Sequence, residues 1–271
     1  MGVQAPRLVA TDVDGTLLSD DERVSRRTAE VIARVVARGV PFLLVTGRPP
    51  RWVPPVAAQL PQVRLAVCSN GAVLYDAVED RIVWDHALPA AQLAELADAV
   101  LATLPECGLA VERIGQGAGD GAAVFLADSG YLHAWPEAAG AIVDRVALFR
   151  EPAVKLLIRS PGRTSADMLE ALAPVIGDAA DITFSHPLGL VELSAPGITK
   201  ASGLAAVAES LDVAAADVLA FGDMPNDLEM VQWVGHGVAM ANGHPSLRAV
   251  ADEVTASNDE DGVALVLERW F

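Results

Sequence analysis

The sequence near the N-terminus reads Val9-Ala10-Thr11-Asp12-Val13-Asp14-Gly15-Thr16-Leu17, an apolar run that ends in two carboxylates and a Gly-Thr turn. In an extended segment residues i and i+2 point to the same side, so Asp12 and Asp14 are expected to project together from the end of a strand. Asp-Gly is also a common turn former. The stretch alone is therefore equally compatible with a simple strand end and with a site that needs negative charge for a cation or a reaction.

The length and charge of the chain limit the classes of protein to which it can belong. With 271 residues it exceeds the usual size of one domain, so two domains are expected. Its formal net charge of −17 argues against nucleic acid or an anionic membrane as a partner, because both need a basic surface. We therefore expect neither of these partners.

The N-terminal residues and the cysteines favour a cytoplasmic location. The sequence contains no uninterrupted apolar run of the roughly 18 residues that a membrane span requires. Residues 1–7 have no long apolar stretch and do not resemble a signal peptide. The two cysteines, Cys68 and Cys107, lack metal-ligand spacing and indicate free thiols in a reducing compartment.

The first part of the chain alternates between strands and helices. Apolar runs at 8–14, 41–46 and 65–69 are separated by helical segments, and one helix is predicted between an N-cap at Ser25 and Gly39. Continuous apolar strands alternating with helices indicate a parallel sheet covered on both faces. Ligands bind such sheets outside the carboxyl ends of the strands. The residues at those ends are Asp12, Asp14, Thr46, Gly47, Arg48, Asn70 and Gly71.

A different pattern occupies the middle of the chain. Between 82 and 188 short strand pairs are mixed with two helices, which predicts an inserted α+β unit and a discontinuous sheet domain at 1–81 and 189–271. The Gly-rich stretch 115–121 leads into a strand, so we interpret it as a hairpin connection and not as a nucleotide-binding loop. For Trp135, in the same unit, core packing is favoured over a role in a substrate pocket.

Two further segments bring charge to the same sheet edge. A helix opens at Ile198-Thr199-Lys200, and a strand at 218–221 ends in Gly222-Asp223-Met224-Pro225-Asn226-Asp227. A lysine at a helix N-terminus opposes the helix dipole, so Lys200 is better explained as a counter-charge to the carboxylates. Hard oxygen ligands of this kind suit Mg²⁺, whereas zinc is not expected because no His or Cys belongs to the cluster.

Such a cluster suits the hydrolysis of a phosphate monoester. A carboxylate that attacks a phosphate dianion is repelled by about 1 kcal/mol per charge pair at 4 Å in water, and by about 4 kcal/mol at an effective dielectric near 20. A divalent cation and one lysine are enough to turn this net repulsion into an attraction. One carboxylate can then form an aspartyl-phosphate, while the other protonates the leaving alcohol and later activates water. Groups at Thr46 and Gly47 would hold the phosphoryl oxygens.

Four segments together resemble the motifs of the haloacid dehalogenase (HAD) superfamily. They are Asp-Val-Asp-Gly-Thr-Leu at 12–17, Val-Thr-Gly-Arg-Pro at 45–49, Ile-Thr-Lys at 198–200 and Gly-Asp-Met-Pro-Asn-Asp-Leu-Glu-Met at 222–230. Their order, with a large insert between the second and the third, is similar to that of Cof-type (subfamily IIB) phosphatases with a C2-type cap. The resemblance covers essentially the whole chain. It implies an α/β fold with a Rossmann-like, doubly wound parallel-sheet core and an inserted α+β cap.

The resemblance also implies roles for the matched residues. Asp12 would be the nucleophile and a Mg²⁺ ligand, and Asp14 the general acid/base, which also offers its backbone carbonyl to the metal. Lys200 would neutralise charge beside Asp12, and Asp223 would bind Mg²⁺ directly. The remaining matched residues would bind the phosphate or support the metal: Thr46, Gly47, Asn70, Gly71, Asn226 and Asp227. Arg48 would either contact substrate or pair with an acid at the surface.

Other functions are compatible with parts of this pattern. A dehalogenase is disfavoured because it would not need a second acid at Asp14. A phosphomutase would use the same site and pass the phosphoryl group to a second hydroxyl, which product analysis distinguishes. A regulator that binds a phosphorylated metabolite is disfavoured because every catalytic residue type is present. We therefore predict a Mg²⁺-dependent phosphatase for a small phosphorylated metabolite, a sugar phosphate or similar, and leave its identity and the oligomeric state open.

Overall fold

A computed structural model describes residues 5–115, 117–118, 124–133 and 140–271 of the chain. In chain order the strands are β1 (Leu8–Thr11), β2 (Phe42–Val45), β3 (Leu65–Cys68), β4 (Val73–Asp76), β5 (Arg81–Asp85), β6 (Gly108–Glu112), β7 (Phe125–Ala127), β8 (Ala141–Ile142), β9 (Lys155–Arg159), β10 (Asp181–Thr183), β11 (Leu190–Ser194), β12 (Val218–Gly222), β13 (His236–Ala239) and β14 (Glu253–Val254).

The helices of the described residues alternate with these strands. They are α1 (Arg26–Ala37), α2 (Pro54–Ala57), α3 (Ala90–Thr103), α4 (Arg145–Leu148), α5 (Ser165–Ile176), α6 (Lys200–Ser210), α7 (Leu228–Trp233), α8 (Pro245–Arg248) and α9 (Gly262–Leu267). Within the described part of the chain, no helix combines the length and the apolarity needed to cross a membrane.

The large sheet has eight strands in the order β14-β13-β12-β1-β2-β3-β4-β5. The strands from β14 to β3 are parallel, and β4 and β5 extend the sheet as an antiparallel hairpin. Alternate residues of β1 pack on opposite faces, with Val9 against α1 and α9 and with Leu8 against α6. Helices therefore cover both faces, which confirms the predicted doubly wound fold.

The first helix begins and ends where the sequence predicts. The Ser25 side chain accepts a hydrogen bond from the backbone N–H of Thr28 and so caps α1. Gly39 follows the helix with φ of 79°, a left-handed conformation in which glycine carries no steric penalty. These two residues fix the length of the helix that leads from β1 to β2.

The small sheet has six strands in the order β10-β11-β9-β6-β7-β8 and is mostly antiparallel. One face is covered by α3 and α5, whose leucines pack against Leu109, Leu156 and Val191. The opposite face carries Ala110, Leu157 and Leu190 and is not part of that core. An inserted α+β unit with two long helices is present, as the sequence predicts.

The strand pairing corrects the predicted limits of the inserted unit, 82–188, at both ends. β5 pairs with β4, so residues 81–85 belong to the large sheet. β11 pairs with β9 through Val191 and Ile158, so residues 190–194 belong to the small sheet. The sequence pattern failed here because an edge hairpin and a returning antiparallel strand look alike without their partners. Trp135 and much of the Gly-rich stretch 115–121 lie outside the described residues.

Candidate active site

Asp12 follows directly after β1, in the middle of the large sheet. Its backbone N–H donates to the carbonyl oxygen of Phe221 on β12 at 2.9 Å. Its carboxylate accepts a hydrogen bond from Lys200, with 2.6 Å between Nζ and Oδ1, and Lys200 Nζ also lies 2.7 Å from Asp227 Oδ1. Burial opposes the charge on Lys200, but the charges of Asp12 and Asp227 outweigh burial and raise its pKa. The structure thus joins two separate sequence segments through one buried ammonium.

The first residue of α6 is Lys200, and its position depends on the start of that helix. The Thr199 side chain accepts from the N–H of Ser202, and the Ser202 side chain accepts from the N–H of Thr199, which forms a capping box. Gly71 packs against this start, where a Cβ would overlap the Thr199 carbonyl group. Gly71 therefore supports the helix and does not line the cavity described below.

The carboxylates of Asp12, Asp223 and Asp227 converge below the sheet edge. Each offers an oxygen within 4.8 Å of the others, and all three residues are buried. Burial raises the pKa of Asp12 to about 7 and that of Asp223 to about 9, and the charges of neighbouring carboxylates add to both shifts. A cation bound by these oxygens would offset both the burial of the carboxylates and the repulsion between them. The donor set is hard and oxygen-only, so it fits a metal such as Mg²⁺ and does not fit zinc.

Asp223 and Asp227 are not equivalent within this cluster. Asp227 Oδ2 accepts from the backbone N–H groups of Asp223 and Met224 at 2.9 and 3.0 Å, while its Oδ1 faces Lys200. Asp223 Oδ1 accepts from the Thr16 hydroxyl at 3.1 Å. Both oxygens of Asp227 accept from protein donors, whereas Asp12 and Asp223 each accept from a side chain through Oδ1.

Asp12 and Asp14 follow β1 in a turn and differ in exposure. β1 ends at Thr11, and residues 13–17 form a tight turn in which Gly15 has φ of 73°. The Asp12 side chain is 7% exposed, whereas that of Asp14 is 57% exposed. Because this turn is not extended chain, the i, i+2 rule alone does not describe the two side chains. Both side chains nevertheless line the same cavity.

Arg48 holds the Asp14 carboxylate through two hydrogen bonds. Arg48 Nε lies 2.8 Å from Asp14 Oδ2, and Nη2 lies 2.5 Å from Oδ1. This fork-to-fork geometry is among the stronger forms of ion pair in proteins. Of the two interpretations that the sequence left open, the structure thus contains the ion pair with an acid, although the pair lines the cavity and Arg48 is only 13% exposed.

Thr46 and Gly47 follow β2 at the same edge. Thr46 is fully buried, and its hydroxyl accepts from the Arg48 backbone N–H at 3.0 Å. Gly47 lines the cavity, and a Cβ at this position would lie 3.1 Å from Asn70 Oδ1. The turn after β2 therefore brings backbone close to the position where a bound anion would lie.

Asn70 connects the large sheet to the inserted unit. Its Oδ1 accepts from Asn226 Nδ2 at 3.1 Å, and its Nδ2 donates to Glu192 Oε2 at 2.7 Å. Asn70 has φ of 57° and Ser69 has φ of 52°, a left-handed conformation that is uncommon for residues other than glycine. This backbone conformation turns the Asn70 amide towards both neighbours.

A cavity of about 460 Å³ separates this edge from the uncovered face of the small sheet. The inserted unit contributes three buried residues to this cavity, Glu112, Lys155 and Glu192. These residues were not predicted from the sequence. Lys155 Nζ donates to the Gly47 carbonyl at 2.9 Å and lies 3.0 Å from Glu192 Oε2. Arg51 binds Glu112 through two contacts of 2.7 and 3.0 Å. The feature of the sequence that could have indicated these residues is a charged side chain at one end of an otherwise apolar strand, or inside it.

Comparison with known proteins agrees with this geometry. A family model described as haloacid dehalogenase-like hydrolase matches residues 9–267. The 5-amino-6-(5-phospho-D-ribitylamino)uracil phosphatase of Bacillus subtilis is 29% identical over 268 residues, which cover 98% of each chain. The HMP-PP phosphatase of Serratia proteamaculans is 30% identical, over 98% of this chain and 95% of its own.

Solved structures share the fold. SMU.1108c from Streptococcus mutans has a TM-score of 0.83 at 20% identity, over 98% of this chain and 99% of its own. A HAD subclass IIB sugar phosphatase has a TM-score of 0.81 at 19% identity, over 97% and 98% of the two chains.

The chain belongs to the haloacid dehalogenase-like hydrolase family. Within that family it is a phosphatase with the Cof-type arrangement of a doubly wound core and an inserted cap. The predicted superfamily and fold class are thereby confirmed.

Proposed function

We propose that the protein is a Mg²⁺-dependent phosphomonoester hydrolase that acts on a small phosphorylated metabolite, such as a sugar phosphate, through an aspartyl-phosphate at Asp12. The observation that carries the proposal is the buried contact of 2.6 Å between Lys200 Nζ and Asp12 Oδ1, because Asp12 lines a cavity of about 460 Å³. The ammonium favours the ionised carboxylate, and nucleophilic attack requires that form. The names of the relatives, which are phosphatases of small phosphorylated compounds, support the same reaction class.

Asp12 would attack phosphorus while the bond between phosphorus and the leaving oxygen breaks. Asp14 would give a proton to that oxygen, so that an alcohol leaves and the phosphoryl group stays on Asp12. Asp14 would then take a proton from water, which attacks the same phosphorus. Inorganic phosphate leaves and the Asp12 carboxylate is restored.

Asp14 must change partners for this role. Arg48 now binds both of its carboxylate oxygens. We propose that substrate binding exchanges this ion pair for a contact with the leaving oxygen, and that Arg48 then faces the substrate. The high exposure of the Asp14 side chain, 57%, leaves room for this movement.

The phosphoryl oxygens would be held by the turn after β2. Gly47 lines the cavity, and the Thr46 hydroxyl lies behind it with one acceptor position used by the Arg48 N–H. A hydroxyl that accepts one hydrogen bond can still donate its own hydrogen to an anion. Asn70 and Asn226, already linked to each other, would orient the outer side of the phosphate.

Asp12 and Asp223 would hold Mg²⁺, together with the backbone carbonyl of Asp14. When bound, the ion supplies positive charge that offsets the repulsion between the carboxylates and the phosphate. Asp227 would keep Lys200 in place behind them, since its two oxygens bind Lys200 and the backbone N–H groups of the turn.

The inserted unit would act as a cap domain that excludes water from the cavity. The contacts that join it to the large-sheet domain at the cavity include Arg51 with Glu112, Lys155 with the Gly47 carbonyl, and Asn70 with Glu192. We assign the cap to the chain between β5 and α6 and the core to the remainder. A variant of the cap that loosens these contacts is expected to change the order of preference among substrates. An unchanged order would argue against a role of the cap in substrate recognition.

The test is phosphate release from p-nitrophenyl phosphate and from a panel of sugar phosphates, measured with Mg²⁺ and with EDTA. We expect activity that requires Mg²⁺ and that is lost in Asp12→Asn. Asp217→Asn, which changes a partly exposed aspartate far from the cluster, is the matched control and should keep full activity. Undiminished turnover in EDTA or in Asp12→Asn would overturn the mechanism. Recovery of an isomeric phosphate in place of free phosphate would identify a mutase.

A further inference from the structure

The uncovered face of the small sheet forms one wall of the cavity. Side chains along a strand alternate between faces, so Leu109 and Leu156 point to α3 and α5 while their neighbours Ala110 and Leu157 point away from these helices. The residues of this wall that line the cavity are Glu112, Phe125, Lys155, Leu157 and Glu192. A substrate whose phosphate lies at Asp12 would therefore place its leaving group against this face.

Aromatic rings and a guanidinium group surround the apolar part of that wall. The Phe125 ring lies edge-on to Tyr131 and His133, with centroids 5.9 and 5.0 Å apart. The Arg51 guanidinium carbon lies 4.6 Å from the Trp52 ring and 5.4 Å from the Phe125 ring. All five residues line the cavity. Rings and guanidinium planes favour contact with another flat ring.

Each Lys or Arg side chain among the described lining residues is paired with a carboxylate, and Asp12 and Glu22 add further negative charge to the lining. Among the described lining residues the Lys and Arg side chains are Arg48, Arg51 and Lys155, and each lies within 3.0 Å of a carboxylate, in Asp14, Glu112 and Glu192 respectively. An anionic group on the leaving side of the substrate would have to displace one of these carboxylates. Burying a charge without a partner is costly, so this wall disfavours a second anion.

We propose that this wall is the leaving-group subsite, and that it selects an uncharged leaving group which carries a flat ring of about the size of a pyrimidine. The proposal rests on the proposed function, because it places the phosphate at Asp12. The cavity of about 460 Å³ has the size of a site for a ring joined to a short hydroxylated chain, and it is larger than a three-carbon phosphate needs.

Matched phosphate esters test the proposal. Uridine 5′-phosphate and ribose 5-phosphate differ in a pyrimidine ring, as do 2′-deoxyuridine 5′-phosphate and 2-deoxyribose 5-phosphate. We expect kcat/KM to be about tenfold or more higher for the ring-bearing member of at least one pair, because a buried ring contact adds to the binding of the transition state. Turnover of glycerol 1-phosphate should likewise exceed that of phosphoglycolate, whose leaving group, glycolate, carries a carboxylate. Equal or better turnover of both ring-free esters, or of phosphoglycolate, would overturn the proposal.

Two phenylalanine variants separate the subsite from general packing. Phe125→Leu should reduce the preference for the ring-bearing ester by about two- to tenfold and change turnover of the ring-free ester little. Phe149→Leu, on a residue that packs with the helix-covered face, should leave the preference unchanged. A preference that survives Phe125→Leu, or that Phe149→Leu reduces equally, would contradict the assignment.

Failure of the proposed function has a different signature. If p-nitrophenyl phosphate and all esters resist hydrolysis with Mg²⁺, the phosphatase assignment fails. Equilibrium binding of uridine against ribose then decides the subsite by itself. Tighter binding of uridine in the intact chain, and loss of that difference in Phe125→Leu, would be the supporting result. Equal binding of both would exclude the subsite.

Discussion

One buried lysine lies in each domain near the cavity, and the two are held differently: Lys155 lines the cavity, whereas Lys200 contacts the lining residue Asp12. Lys200, 1% exposed, bridges two carboxylates of the large-sheet domain, Asp12 and Asp227. Lys155, 3% exposed as a residue, pairs with one carboxylate of its own sheet, Glu192, and donates across the cavity to the Gly47 carbonyl. Lys200 therefore contacts carboxylates of one domain, whereas Lys155 contacts both domains.

The difference lies in the balance of charge. Around Lys200 the carboxylates outnumber the cations, and burial together with neighbouring charges raises the pKa of Asp12 to about 7 and that of Asp223 to about 9. Around Lys155 and Arg51 each cation has one carboxylate partner. An excess of negative charge favours binding of a metal ion. A wall whose cations are each paired with a carboxylate favours contact with an uncharged part of a substrate. Under the proposed function, the large-sheet side would carry out the reaction and the small-sheet side would recognise the leaving group.

The largest expected effect is the contrast between Lys200→Met and Lys155→Met. Lys200→Met should lower kcat/KM for p-nitrophenyl phosphate on the order of 10³-fold, because it removes a preorganised charge beside the nucleophile. Lys155→Met should lower it by about tenfold or less, because that lysine is expected to act on the leaving group. Steady-state kinetics on both purified variants gives the comparison.

Stability must be measured beside these rates. Lys200→Met leaves two buried carboxylates without their cation and Lys155→Met leaves one, and removing one partner of a buried ion pair typically costs about 3–5 kcal/mol of unfolding free energy. Denaturant unfolding of both variants therefore serves as the control, since similar losses of stability would leave the difference in rate to chemistry. Equal loss of kcat in the two variants would remove the distinction between the two sides.

A second contrast tests the unequal roles of Asp223 and Asp227. Asp223→Asn should raise the Mg²⁺ concentration needed for half-maximal activity by about 10–100-fold, because it removes charge from the proposed metal site. Asp227→Asn should change this concentration less and should instead lower kcat, because it loosens Lys200. Titration of activity with Mg²⁺ separates the two outcomes. A larger shift in Asp227→Asn would make Asp227 a direct ligand.

The large-sheet side of this comparison could be predicted from the sequence. Its residues follow apolar strands, and topology alone brings the ends of parallel strands together. Asp12, Lys200 and Asp223 are separated by long stretches of chain, yet each carries a local sign: a carboxylate after a strand, or a lysine where a helix dipole opposes it. The doubly wound fold and the cap at roughly its place could be predicted for the same reason.

The small-sheet side could not be predicted in this way. Glu112, Lys155 and Glu192 lie at strand ends or inside a strand, where sequence alone does not tell which antiparallel neighbour each one meets. The predicted limits of the inserted unit differ from the strand pairing for the same reason. The relation of Asp14 to Arg48 was left open because it depends on a turn after β1 that departs from extended geometry. Pairing between distant strands, and not composition, defines these features.

A smaller effect is expected from removing one charge of the small-sheet wall. Glu192→Gln keeps the shape of the side chain and an acceptor for Asn70, but it leaves Lys155 without its carboxylate. Turnover of phosphoglycolate relative to glycerol 1-phosphate should then rise by about tenfold, because Lys155 becomes available to the substrate carboxylate. Glu106→Gln, an exposed change elsewhere in the same unit, is the matched control. An unchanged ratio in Glu192→Gln would show that the pair does not set selectivity for charge.

The smallest expected effect is the pH dependence of stability at Glu112. Burial raises the pKa of the Glu112 carboxyl above its ordinary value of 4.5, in spite of two hydrogen bonds from Arg51. The folded chain therefore keeps this proton at pH values where the unfolded chain has lost it. Relative to Glu112→Gln, the unfolding free energy of the native protein should fall as pH rises from 4.5 through the raised pKa, by at most about 1.4 kcal/mol per pH unit, and then level off.

Glu253 provides a control of opposite sign for this measurement. A hydrogen bond from Arg269 lowers the pKa of the Glu253 carboxyl, so its contribution to stability is present above the ordinary pKa and is lost as pH falls through the lowered value. Denaturant unfolding at a series of pH values should therefore give trends of opposite sign for Glu112→Gln and Glu253→Gln. If the native protein instead gained stability over Glu112→Gln with rising pH, Arg51 would outweigh burial. The small-sheet wall would then be stabilised by its ion pairs in the same manner as the Lys200 cluster, and the contrast between the two sides would rest on charge balance alone.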